Sequence, residues 1–129
     1  ESPAHKYCYR HQCEVTSTKV AEFLDLKKGS YSTSFQSRVS ILGKWLKPYT
    51  DKTVEKFAKS GVKELAIATP AFVSDCLETL EEIGMEAAED FEDNGGKNLH
   101  VIPCINDREE WVNVLSRWID EWAHLNVEK

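Results

Sequence analysis

Two short apolar runs constrain this chain more than any other feature. Val62–Ala68 (VKELAIA) and Leu99–Ile102 (LHVI) are each too short for a helix of ordinary length and apolar enough for a buried strand. A third run, Tyr31–Val39 (YSTSFQSRV), alternates β-forming residues with Ser and Thr and also reads as a strand. Helical patterns lie before, between and after these runs. The order helix, strand, helix, strand, helix, strand, helix requires crossover connections. The expected fold is therefore α/β, a three-layer sandwich around a parallel sheet of three strands. In such sheets ligands bind outside the carboxyl ends of the strands. The loops at that edge are residues 40–49, 69–74 and 103–107.

The helical segments carry their own start and stop signals. Residues 12–25 present Val15, Val20, Phe23 and Leu24 as a partial apolar stripe, with Lys27-Lys28-Gly29 as the stop. Thr50 suits the N-cap of a helix over 51–60 that buries Val54, Phe57 and Ala58 and ends at Gly61. Asp107-x-x-Glu110 resembles a capping box ahead of a last helix. Trp111, Leu115, Trp118, Ile119 and Trp122 form its apolar face, which is expected to pack in the core.

The helix after the second strand is the chemically distinctive one. From Asp75 to Asp93 the chain has nine carboxylates and no Lys or Arg. At helical spacing Asp75, Glu78 and Glu82 share a face, with Leu77, Leu80, Gly84, Ala87, Ala88 and Phe91 opposite, and Asn94-Gly95-Gly96 closes the segment. Like charges at this spacing repel by roughly 0.2–0.5 kcal/mol per pair. Two readings are open. The acids handle a cation, or Asp75-x-x-Glu78 is a cap and the remainder a solvated face. The helix starts at the ligand-binding edge of the sheet, which favours the first.

Composition narrows the classes. With 129 residues the chain makes one domain with a real core, and 41% hydrophobic and 29% charged residues are ordinary for a globular protein. A net charge of −6 speaks against a nucleic-acid partner. No apolar run approaches the ~18–20 residues that cross a bilayer. The first residues carry neither Met nor the apolar core of a signal peptide, so the chain reads as a piece of a longer protein in a cytoplasmic setting. Cys8, Cys13, Cys76 and Cys104 follow no metal-site spacing and are expected as reduced thiols. His5 and His11 beside Cys8 and Cys13 likewise match no recognised site.

Four blocks resemble the carboxyl-terminal half of the ferrochelatase family. They are Phe35-Gln36-Ser37-Arg38-Val39, Trp45-Leu46-x-Pro48-x-Thr50-Asp51, Pro70-Ala71-Phe72-Val73-Ser74-Asp75-Cys76-Leu77-Glu78-Thr79-Leu80 and Ile105-Asn106-Asp107. The likeness runs in order over residues 12–122 and makes residues 1–129 a carboxyl-terminal chelatase-like lobe. The family's activity is insertion of Fe(II) into protoporphyrin IX, giving protoheme, in a cleft between two α/β lobes. The resemblance implies Glu78 as the catalytic acid and Glu78, Asp75 and Glu82 as a path for metal or protons. It places Trp45, Gln36, Ser37 and Cys76 at the porphyrin pocket, with Cys76 where many members have a second histidine. Fe(II) and protoporphyrin IX enter as substrates, no resident cofactor is required, and no ligands for an iron–sulfur cluster are matched.

The amino-terminal lobe and its catalytic histidine motif are not in these residues, so the piece alone is expected to be inactive. It also lacks the lobe's first strand, which would lie between the first two strands present. The sheet must leave a gap, close it directly or borrow a strand from another copy. Raised by its acidic neighbours, the pKa of Glu78 is expected above that of a free Glu. The rivals are another tetrapyrrole chelatase, of a cobalt or nickel type, and a non-catalytic acidic α/β binding module. Peripheral membrane contact of the full-length protein is left open.

Overall fold

The computed structural model describes residues 3–36 and 45–127. After a single 3-10 turn at Pro3–Tyr7 come α1 (Tyr9–Phe23), α2 (Thr50–Lys59), β1 (Glu64–Ala68), a π-helix (Glu78–Glu86), α3 (Ala87–Asp93), β2 (Asn98–Ile102) and α4 (Glu109–Val127). The two strands pair in parallel, Glu64 opposite Asn98 through to Ala68 opposite Ile102. The α/β class and parallel pairing follow from the crossover of π-helix and α3.

The strand expected over 31–39 is not formed among the described residues. Residues 31–36 make a single parallel bridge, Phe35 to Tyr49, and 37–39 lie outside the described residues. The Phe35 N–H bonds to Pro48 O at 2.9 Å and the Thr50 N–H to Phe35 O at 3.1 Å. Those bonds tie the segment to the entry of α2 and leave β1 paired only with β2 among the described residues. Among the described residues no strand pairs with the other edge of β1. A cleft of about 1010 Å³ runs along all of β1 and residues 29–36, closed on its other side by α1 from Tyr9 to Ser17.

One side of the sheet is packed. Val54 and Ala58 of α2 meet Ala87 and Phe91 of α3 over Leu65, Ile67 and Leu99. Phe91 is wholly buried. The alternate positions, Glu64, Ala66, Ala68, Asn98, His100 and Ile102, are exposed. There Glu64 accepts from Asn98 Nδ2 at 2.7 Å and pairs with His100 Nε2 at 3.0 Å. Among the described residues the helices packed on the sheet, α2 and α3, lie on one face of it.

The terminal helices depart from expectation. The stripe Trp111, Leu115, Trp118, Ile119 and Trp122 is not a core face among the described residues: Ile119 is 60% exposed, and α4 packs extensively on no other described element. Phe23 of α1 is 91% exposed. That helix also stops earlier than Lys27-Lys28-Gly29. Asp25 takes a left-handed φ of 50°, while Leu26 N–H reaches Ala21 O and Asp25 N–H reaches Glu22 O. This is a Schellman ending with Asp in the place usually held by Gly.

The same ending follows α2 at Gly61 and α3 at Gly95, as the sequence leads one to expect. Thr50, however, is the first residue of α2 rather than its N-cap, and its hydroxyl meets Ser34 Oγ at 3.0 Å. β1 starts two residues after Val62 because Val62 N–H is taken by Phe57 O in closing α2.

Candidate active site

The acidic helix does not begin at Asp75. The backbone before it is held by the loop after β2: Asn106 N–H donates to Val73 O at 2.9 Å, and the Asp75 N–H donates to Asn106 Oδ1 at 2.8 Å. With those groups committed across the loop, the regular segment starts only at Glu78, and it starts as a π-helix. Its i→i+5 bonding is seen where Ala87 N–H reaches Glu82 O. The wider turn changes which residues share a face. Thr79, Ile83, Ala87 and Phe91 are the buried row, four apart, whereas Leu77 and Leu80 are exposed. The apolar face expected from an α-helical period is therefore only partly the real one.

Asp75 is turned inward and bound. Its Oδ2 accepts from Asn106 Nδ2 at 2.7 Å, and Oδ1 accepts from Thr79 Oγ1 at 3.1 Å and, more weakly, from Cys104 N–H at 3.4 Å. The Asn106 amide first, then the Cys104 thiol, backbone N–H and Thr79, hold the Asp75 carboxyl below its ordinary pKa. Capping is displaced by one residue: Cys76 N–H donates to Thr79 Oγ1 at 3.0 Å, so threonine performs the reach-back expected of Glu78.

That leaves Glu78 for other work. The Cys76 thiol and then its own amide lower its pKa, the reverse of the rise expected from acidic neighbours. Hydrogen bonds to the ionised form outweigh repulsion between half-exposed charges screened by water. Glu82 is half-buried one turn further on. The three acids do not form one open ladder, and among the described residues no group of three His, Cys, Asp or Glu is placed to hold a metal ion.

Gln36 links Trp45 to the Glu78 backbone. The Trp45 indole N–H donates to Gln36 O at 3.0 Å, and Gln36 Nε2 approaches Glu78 O at 3.5 Å, the outer limit of a hydrogen bond. Both residues line the cleft together with Phe72 and Pro70, whereas Glu78, Asp75 and Cys76 stand beyond its wall. Ser37 lies outside the described residues. Elsewhere His5 faces His11 with ring centroids 4.3 Å apart, and His124 sits 3.4 Å from Asp120.

Sequence reasoning missed Asn106, Thr79 and Cys104 as partners of the site. Asn106 carries a visible signal, since an Asn between a strand and a helix tolerates the left-handed φ of 53° found there. Cys104 is buried, and that burial raises its thiol pKa, with Thr69 Oγ1 at 3.5 Å from the sulfur.

These features define an α/β lobe on parallel strands, with an acid presented at their carboxyl edge beside a tryptophan-walled opening. Comparison with known proteins gives the particular family. The Ferrochelatase family model matches residues 2–123, and the chain belongs to that family. It is similar to ferrochelatases of Pseudomonas putida strain F1 (49% identical over 109 residues, 84% of this chain) and Bdellovibrio bacteriovorus strain HD100 (48% over 107 residues, 83%). A ferrochelatase of Pseudomonas aeruginosa strain PAO1 matches at 49% over 109 residues. In each case the chain spans about a third of the relative's length, 32%.

Proposed function

We propose that these residues are the carboxyl-terminal lobe of a ferrochelatase, which inserts Fe(II) into protoporphyrin IX to form protoheme. The observation carrying the reading is the junction Trp45–Gln36–Glu78 at the carboxyl ends of the strands, in a chain of this family. Insertion removes two pyrrole N–H protons and delivers a desolvated divalent ion. Glu78 accepts one of the two protons: held ionised by Cys76 and its own amide, it is free to take it at neutral pH. Glu82 follows on the same helix as the next acceptor for the proton or for Fe(II), which carboxylates hold loosely enough to release. Trp45 supplies a flat apolar wall suited to a macrocycle face.

Fe(II) and the porphyrin are substrates of this reaction, and the lobe is asked for no bound cofactor. The rest of the relatives' length supplies the other wall of the cleft, so the isolated lobe is inactive. Glu78→Gln in the full-length protein tests the assignment by following zinc insertion into mesoporphyrin. The expected loss in kcat is at least ~100-fold, the usual contribution of a general base, with KM for porphyrin unchanged. Wild-type turnover in that variant would remove Glu78 from the chemistry.

A further inference from the structure

We propose that Asn106 is a positioning residue for Glu78, acting through Asp75, and that Asp75 is a structural clamp rather than a station on the cation path. Asn106 grips both ends of Asp75. It accepts from the Asp75 amide at 2.8 Å and donates to the Asp75 carboxylate at 2.7 Å, while its own N–H holds Val73 O at 2.9 Å. The geometry asks for a residue that can enter the left-handed region and offer a planar donor and acceptor at once. Asn at φ 53° does both.

The grip passes to Glu78 through Thr79. Thr79 is 1% exposed, accepts from Cys76 N–H and donates to Asp75 Oδ1, so the turn from 75 to 79 is closed by side chains. Glu78 leaves from that turn. Three donors already occupy Asp75 out of the roughly four lone-pair sites of a carboxylate, which leaves little for a cation.

This inference rests on the chelatase reading above, and a charge swap in the full-length protein separates the two. Asp75→Asn alone must aim an amide nitrogen at either Asn106 Nδ2 or the Cys104 N–H. Asn106→Asp alone sets two carboxylates face to face. In the double variant an amide at 75 gives its oxygen to Thr79 and Cys104 and its nitrogen to a carboxylate at 106, so every bond is restored with the charge moved. Each single variant is expected to lose about 100-fold in kcat for zinc insertion, as misplaced catalytic groups do. The double variant is expected to recover both turnover and melting temperature.

A double variant that melts like wild type but turns over as slowly as Asp75→Asn overturns the proposal, because the charge at 75 is then itself required. Single variants at wild-type speed overturn it too. Should the singles not fold, the double variant decides alone: recovered turnover supports the clamp, and a folded but slow enzyme overturns it. Failure of the parent reading has a different signature, wild-type turnover in Glu78→Gln, and it would take this role of Asn106 with it.

Discussion

At the scale of single residues the sharpest constraint is Gly96. A Cβ there would fall on the ring of Phe91, which is fully buried beneath it. The ring cannot retreat, since Val54, Ala58 and Ala87 pack around it. Gly96→Ala is therefore expected to destabilise the chain by about 1–3 kcal/mol, the usual cost of overpacking, measured by denaturant unfolding. An unchanged midpoint would mean that Phe91 has room the structure does not show. The glycine was legible in the sequence as a helix stop, but its closeness to Phe91 was not. Composition says nothing about which ring lies over which backbone. Asp75 teaches the same lesson, because its place in a run of acids suggested a ladder while its hydrogen bonds point to the next loop.

At the scale of elements, helix ends were easier to read than helix types. Gly61 and Gly95 stop α2 and α3 as their residue type implies, because glycine enters the left-handed region at no steric cost. Asp25 makes the same turn at a penalty of about 1 kcal/mol. Asp25→Gly should recover up to about that amount and raise the melting temperature. A lower one would show that the Asp25 side chain contributes more than its backbone costs. The π-helix was not legible. Its acids fit a 3.6-residue period, and the residues before it are anchored to Asn106, a contact 31 positions away in sequence.

At the scale of the molecule, apolar faces outnumber the surfaces that cover them. Phe23, Trp118, Ile119 and Leu125 are each more than half exposed, and among the described residues β1 pairs on one edge only, the other facing the cleft. Exposed apolar patches and open strand edges drive association. The 129-residue chain is expected to self-associate with rising concentration in sedimentation velocity, and Phe23→Ser with Ile119→Lys to reduce that tendency. A monomer across the concentration range, unaltered by the pair of changes, would contradict it. Here the amphipathic pattern of α4 misled in an instructive way. A Trp-rich stripe at helical spacing announces that a face is to be covered, not that this stretch of chain covers it.

By itself the sequence determined the local choices: that the runs now seen as β1 and β2 are strands, where Gly61 and Gly95 end their helices, that those strands run parallel, and which family the chain resembles. Those follow from side-chain period and backbone sterics within a few residues. Only the tertiary structure decided that Asp75 is clamped, that Glu78 opens a π-helix, and that Phe35 pairs with Tyr49 rather than with β1 among the described residues. Each depends on a contact between residues far apart in sequence, where one hydrogen bond outweighs the local preference.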